Sequence, residues 1–407
     1  MANDIGFKHD ISPEALELAA GYPLAAHAGD LVDAARAEFF GAAPHVSVIG
    51  CGKIARDVLR VLMADSVLPA RGGGLVAVRY TVCGGDEEKE SYERGAGVYD
   101  AFLAYEGLRR EDYLPLPPVP WKIEFASAKE AEDAAERAAT EGAVSVAVYA
   151  DEDRALNAAA AGELQARTGG SVKVFALAEK AAPGVVCFGS DGGRAEEYLC
   201  RLAYDRHKTY AAEWMPGCTD EELTASAEKE IAAMSPVIAG SNVMAALGLR
   251  TKLLLAGFDL APAGGAGDAS REWEEAYFAG DPPRYGEGTL NGKRKLVYRN
   301  ADLGKDGLRG RLARQEHDRW NAYMFTCGFL PSTRAAIASE TKGKDMAGGR
   351  HGNLTTFEGL VEFRRIVAAA FSKSEEATDV IRYDYQLADD AAWFAARAGL
   401  GIVRAGR

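Results

Sequence analysis

The segment running from His45 to Ala55 constrains this chain more than any other. His45-Val46-Ser47-Val48-Ile49 reads as a buried strand and runs straight into Gly50-Cys51-Gly52-Lys53-Ile54-Ala55, at the head of an amphipathic helix from Arg56 to Met63. In a strand–turn–helix unit of this kind the first glycine permits the tight turn. The second lets a pyrophosphate approach the backbone, and the small third residue lets helix and strand pack closely. The free N–H groups and dipole of the helix start then attract an anion. The hexapeptide alone is weak, so its surroundings decide. Strands are expected at 75–83, 122–125, 144–150, 172–177 and 185–188, with helices at 128–140 and 153–167 between them. Strand and helix alternating at this spacing require crossover connections and a parallel sheet. The expectation is an α/β chain: a doubly wound, Rossmann-like domain over 44–192, preceded by a helical extension over 1–43. Within that extension, 13–40 reads as helix, opening at Ser12-Pro13.

The pattern changes after Gly189-Ser190-Asp191-Gly192-Gly193. Helical signals follow at 194–214, 219–233, 241–257, 308–328, 355–372 and 387–399, with a short strand at 295–298. A mostly α-helical second domain over 193–407 is therefore expected, and a fragment ending near Gly192 should fold alone. The Gly-, Pro- and acid-rich stretch 261–295 and the stretch 341–353 read as surface loops or lids.

Composition narrows the function classes. Sixty acidic against 47 basic residues give a net charge of −13, the wrong sign for a groove on nucleic acid or an anionic membrane. No stretch approaches the ~18 uncharged apolar residues of a membrane span. The polar start Met1-Ala2-Asn3-Asp4 does not read as a secretory signal. Six cysteines without a C-x-x-C pair argue for reduced thiols in a cytoplasm rather than disulfides or zinc. No H-x-x-x-H or H-E-x-x-H spacing supports a metal. Neither a G-x-S-x-G elbow nor a P-loop is present. His207, on a helix, and His351, in a Gly-rich loop, carry little weight.

The candidate dinucleotide-binding residues are Gly50, Cys51, Gly52, Lys53, Ile54 and Ala55. An acidic residue after the second strand should hold a ribose; the strand runs out at Cys83-Gly84-Gly85-Asp86, making Asp86 the candidate, with a plain loop carboxylate equally open. A doubly wound domain that has lost its nucleotide would keep the same turn. Further on, Val146-Ala147-Val148-Tyr149-Ala150-Asp151-Glu152-Asp153 and Asn157 resemble the nucleotide-binding domain of Trk-type potassium-transport regulators, over residues 44–190 or so. That resemblance adds Asp151 to the candidates. It implies NAD or NADP, or an ADP-ribose- or ATP-type nucleotide, as ligand, and a homodimer.

The most specific stretch is Leu312-Ala313-Arg314-Gln315-Glu316-His317-Asp318-Arg319-Trp320, followed by Cys327-Gly328-Phe329. It resembles the RyR domain, the repeated module of ryanodine receptors that also occurs in bacterial proteins. Ser241-Asn242, Ala245, Lys252, Leu253 and Gly257 match the family's upstream segment, although Val243 stands where Arg is usual. Tyr383-Asp384, Asp389 and 398–404 resemble its closing helix and strand. The resemblance spans about 195–407, interrupted by 261–295. Fusion of the two domains is a known bacterial architecture. It implies a second ligand or partner site at Ser241, Asn242, Lys252, Glu316, His317, Arg319 and Trp320.

On a helical wheel, Leu312, Ala313, Trp320, Tyr323, Met324 and Cys327 share an arc roughly 120° wide, with Glu316 in its middle and His317 and Arg319 at its edges. A carboxylate in an apolar stripe must be paired or it protonates. One reading is an ion pair, with Lys252 as a candidate partner, that docks two helices. The other is the polar floor of a ligand pocket, with Trp320 stacking on a ring. Acid–base catalysis by the adjacent Glu316 and His317 is disfavoured, because their side chains diverge by about 100°. The functional expectation is a cytoplasmic nucleotide-sensing regulator acting on an effector, such as an ion channel, in trans. The alternatives are an NAD(P)-dependent oxidoreductase, which here shows no evident His–Asp pair, and a nucleotide-free scaffold.

Overall fold

The computed structural model describes residues 7–215, 218–264, 267–281, 285–290, 293–296 and 307–406. Helix α1 (Pro13–Gly21) opens after Ser12 but stops well short of residue 40. Gly21 weakens the helix, and Pro23 pushes Tyr22 out of helical conformation. Two 3₁₀ turns and a short antiparallel ribbon, Val32–Asp33 with Glu38–Phe39, take up the rest of the extension.

Strands β1 (His45–Ile49), β2 (Val78–Cys83), β3 (Trp121–Phe125), β4 (Ser145–Tyr149), β5 (Lys173–Leu177) and β6 (Val186–Phe188) form one parallel sheet. Their order is β3-β2-β1-β4-β5-β6, that of doubly wound dinucleotide-binding sheets. Every residue of β1 and β4 is buried, as a strand covered on both faces requires. Helix α2 (Lys53–Asp65) follows the glycine turn. Helices α3 (Asp86–Arg94) and α4 (Ala96–Ala104) lie between β2 and β3. On the opposite face, α5 (Ala128–Thr140) and α6 (Arg154–Thr168) approach closely through Ala131, Ala135, Ala147, Ala161 and Ala176. Because β1 and β4 are adjacent and parallel, Gly50 and Asp151 leave the sheet side by side, at the point where the strand order reverses.

The second half contains α7 (Arg194–Trp214), α8 (Asp220–Ala232), α9 (Pro236–Leu255), β7 (Phe258–Pro262), α10 (Ser270–Tyr277), the ribbon β8 (Tyr285–Leu290) and β9 (Lys293–Leu296), and α11 (Leu308–Thr326). It closes with α12 (Arg334–Ile337), α13 (Gly359–Phe371), α14 (Arg382–Asp389), α15 (Ala391–Arg397) and β10 (Leu400–Arg404). Several sequence expectations shift. The helix expected at 241–257 starts earlier, at Pro236 behind the Ser235 cap. The one expected at 387–399 is two helices meeting at Asp390. The strand expected at 295–298 is β9, and residues 297 and 298 lie outside the described residues. The stretch 261–295 is not simply a lid. Strand β7 pairs with β10, and α10 buries Trp273 and Tyr277, one turn apart on one face.

The helical half also completes the packing of the sheet. Helices α9 and α11 lie on α2, and α7 lies on α1. One apolar core runs from Val46, Leu62 and Val148 to Leu249, Met324 and Phe325. Polar bonds cross the same seam: Thr251 Oγ1 donates to Asp65 Oδ2 (2.9 Å) and Gln315 Nε2 to the Val67 carbonyl (3.1 Å). Arg250 Nη1 donates to the carbonyls of Ala20 and Gly21 (2.6 and 2.7 Å). Consequently α11 is buried on nearly every side, not along a single arc as the helical wheel suggested. Among the described residues no helix is long and apolar enough to cross a membrane.

Candidate functional site

The glycine turn has the backbone its sequence demands. Gly50 (φ +141°) and Gly52 (φ +96°) both adopt conformations that side chains disfavour. A Cβ on Gly50 would collide with the backbone of Asp151, and one on Gly52 would sit 2.7 Å from Glu152 Oε1. Ala55 is buried against the sheet, and Ile54 packs at the edge of the core. The turn's N–H groups, however, already have acceptors from this chain. Gly52 N–H donates to Glu88 Oε1 (2.9 Å) and Cys51 N–H to Asp151 Oδ2 (3.2 Å). Glu88, 6% exposed, also accepts from Gly85 N–H (2.9 Å) and from Arg56 (3.2 Å). Burial alone would raise its carboxyl pKa, but the N–H donors of Gly52 and Gly85 and the Arg56 charge hold it below the ordinary value. A carboxylate of the protein thus stands where the turn would meet a phosphate.

The other predicted residues here divide by role. Lys53 turns back to the Asp10 carbonyl (2.8 Å) and to Asp57, away from the crevice. Asp86 is exposed at the first position of α3. Asn157 Oδ1 accepts from Asp151 N–H (3.0 Å), and its Nδ2 donates to the carbonyls of Asp151 (2.7 Å) and Leu177 (3.0 Å). It therefore ties the ends of β4 and β5 together. Glu88 was not anticipated from the sequence; its one signal was the Gly85-x-x-Glu88 spacing of a capping box at the start of α3.

The second site is a cavity of about 420 Å³ between α7, α9, α11, α13 and the 341–353 loop. Six of the seven residues expected there line it: Ser241, Asn242, Glu316, His317, Arg319 and Trp320. The seventh, Lys252, is 0% exposed just beneath, and its Nζ donates to Glu316 Oε2 (2.6 Å). Arg319, also 0% exposed, donates from Nε and Nη2 to the same carboxylate (2.9 and 2.8 Å). Glu316 is thus both the docking ion pair and part of the cavity floor. Burial would raise its pKa, but Arg319 and Lys252 hold it far below the usual range. Gly248 makes this approach possible, because a Cβ there would lie 2.6 Å from Arg319 Cδ. Val243, at the position where the resembled pattern has Arg, is fully buried in the core.

A His–Asp pair, not evident in the sequence, is present here. His317 Nδ1 lies 3.3 Å from Asp384 Oδ2, and Nε2 donates to the Thr355 carbonyl (2.9 Å). Burial opposes the charged ring, but Asp384 raises the His317 pKa. With both nitrogens engaged, His317 has no free position from which to take a substrate's proton. His351 differs. Its Nδ1 accepts from Asn353 N–H (3.1 Å), and burial, with the charges of Lys344 and His317, pushes its pKa down to about 3. It is a neutral ring presenting Nε2–H. Its ring stands at 72° to that of Trp320, with centroids 5.1 Å apart.

Arg206, Tyr210, Lys342, Lys344, His351 and Lys373 also line the cavity and escaped the sequence reading. Only the i, i+4 spacing of Arg206 and Tyr210 could have placed two of them on one face. The lysines come from loops whose path no periodicity encodes. Comparison of the chain with protein-family models, with curated proteins and with solved structures gave no match.

Proposed function

We propose that this protein is a cytoplasmic nucleotide-sensing regulator, joining a Trk-type nucleotide-binding domain to an RyR-type helical domain that carries a second ligand site. The observation that carries the reading is the convergence of Ser241, Asn242, Glu316, His317, Arg319 and Trp320, drawn from two helices, on one cavity. A concave site with aromatic walls and a few fixed polar groups is the usual form of a small-molecule site. The strand order and the open backbone of Gly50 and Gly52 support a dinucleotide, NAD(H) or NADP(H), in the first half. Its pyrophosphate would take the Gly52 N–H from Glu88. As a regulator of this class the chain would pair as a homodimer and act on an effector such as an ion channel in trans. The oxidoreductase alternative gains no support from the His317–Asp384 pair, whose ring nitrogens are both occupied.

Two substitutions test the dinucleotide site by calorimetric titration with NAD⁺ and ADP-ribose. Gly52→Asp places a carboxylate in the turn and is expected to abolish binding. Glu88→Ala removes the internal competitor and its charge, and should tighten binding about tenfold, the equivalent of one charged hydrogen bond no longer to be broken. Equal affinities in wild type and both variants would remove the turn from the reading.

A further inference from the structure

We propose that α3 is a strap across the glycine turn, fastened by Glu88, which a dinucleotide's pyrophosphate unfastens, and that its release is passed to the end of α11. This rests on the dinucleotide reading of the turn given above and adds how that site is regulated. The first argument is how little else holds α3 in place. Of its nine residues Glu88 alone is buried, with Ser91 and Tyr92 half-buried. Helices in folded proteins are normally held by an apolar face. The sequence Asp86-Glu87-Glu88-Lys89-Glu90-Ser91-Tyr92-Glu93-Arg94 offers one ring for that purpose, Tyr92, whose centroid lies 5.8 Å from that of Phe125. Beside the helix is a cavity of about 160 Å³, lined by Val48, Leu59, Met63, Val82, Ser91 and Tyr92. A tightly packed helix would leave no such void. The start of α3 is therefore held by a carboxylate more than by a core.

The second argument is competition for the same donors. Glu88 Oε1 accepts from Gly52 N–H (2.9 Å) and Arg56 Nη1 (3.2 Å), and Oε2 accepts from Gly85 N–H (2.9 Å). A pyrophosphate seated on the turn takes the Gly52 N–H, and Arg56 is a donor that phosphate oxygens recognise well. Like charges brought together repel, so the carboxylate gives way. The third argument is where the far end of α3 is lodged. A Cβ on Gly95, just past α3, would lie 2.7 Å from the Thr326 carbonyl oxygen. One on Gly328 would lie 2.8 Å from the Arg94 carbonyl oxygen. Backbone meets backbone where α3 reaches the end of α11. Next to this contact Tyr99 of α4 stacks on Phe325 of α11, with centroids 3.7 Å apart and the rings 6° from parallel. A shift of α3 is thus felt first at the end of the helix that carries Glu316 and Arg319.

The test is amide hydrogen exchange on the full chain, read by mass spectrometry, alone and with saturating NAD⁺ or ADP-ribose, whose binding is followed by calorimetry. A ligand that merely covers the turn protects what it covers, so faster exchange is the discriminating sign. Either nucleotide should speed exchange of residues 86–94 at least about tenfold, and that of residues 322–328 as well. Exchange of α5, on the opposite face of the sheet, should stay as it was. Glu88→Gln sets an NH₂ donor against the N–H of Gly52 or Gly85 and removes the charge facing Arg56. Without any ligand it should speed exchange in the same two segments, and NAD⁺ should then add little. Faster exchange shared by α5 is general loosening and counts against the proposal. Nucleotide bound with 86–94 unchanged or slowed, or 86–94 speeded with 322–328 unmoved, overturns the proposal and leaves the sensor reading standing. Absence of binding by both nucleotides, in wild type and in Glu88→Gln, overturns both.

Discussion

Glu316→Ala is expected to lower stability by about 3–5 kcal/mol, measured as the shift in urea or thermal midpoint at neutral pH. The variant leaves Lys252 and Arg319, each 0% exposed, as cations in the interior without their shared carboxylate. Removing one partner of a buried pair costs far more than the pair contributes, because the desolvated charge that remains has nothing to offset it. The pH dependence follows from the same pairing. The Glu316 carboxyl is held well below its ordinary value of 4.5, against the effect of burial, by Arg319 and Lys252. Its contribution is therefore fully present above pH 4.5 and is lost only in strong acid, as the folded state's carboxylate protonates. Wild type and variant should differ most at pH 5–8 and converge toward the acid limit. Adding Lys252→Met should recover part of the loss by removing one stranded cation. A Glu316→Ala protein within about 1 kcal/mol of wild type would mean that water reaches the cluster.

The second large effect concerns cutting the chain. The change from alternating strands to helices near Gly192 suggests a separately folding first half. The packing opposes this. Helices α9 and α11 cover α2, Arg250 holds the end of α1, and Thr251 donates to one oxygen of the buried Asp65. A fragment ending at Gly192 uncovers the outer face of α2 and leaves the Asp65 carboxylate without its donor. Its expected behaviour is a broad, weakly cooperative urea transition with strong binding of a hydrophobic dye, whereas the full chain unfolds in one transition. A sharp transition in the fragment, with no dye binding, would show that the sheet carries a sufficient core of its own.

How much of the site could be read in advance depends on the range of the interaction concerned. The turn at Gly50 and Gly52 is local: residue size and backbone freedom fix it, and the positive φ values follow directly from the glycines. The buried role of Glu316 was also legible, since a carboxylate inside an apolar stripe needs a partner, and Lys252 was a candidate. Glu88 was not. It lies 36 residues from Gly52, and nothing in an acidic run marks which carboxylate will reach across to the turn. The His317–Asp384 pair is likewise assembled across a separation no spacing rule spans.

By itself the sequence determined the elements whose causes are short in range. These were the alternation of strands and helices that makes a parallel sheet, the glycine turn at its switch point, and the polar residues carried on α11. Tertiary structure decided what those elements meet. It placed a carboxylate of the protein on the turn's N–H groups, turned α11 from a one-faced helix into a buried axle, and gathered lysines from separate loops around Trp320. The physical reason is that helix and turn formation depend on neighbours within a few residues. The pairing of charges and the closing of a cavity depend on which distant surfaces exclude water together, and only the completed packing sets that.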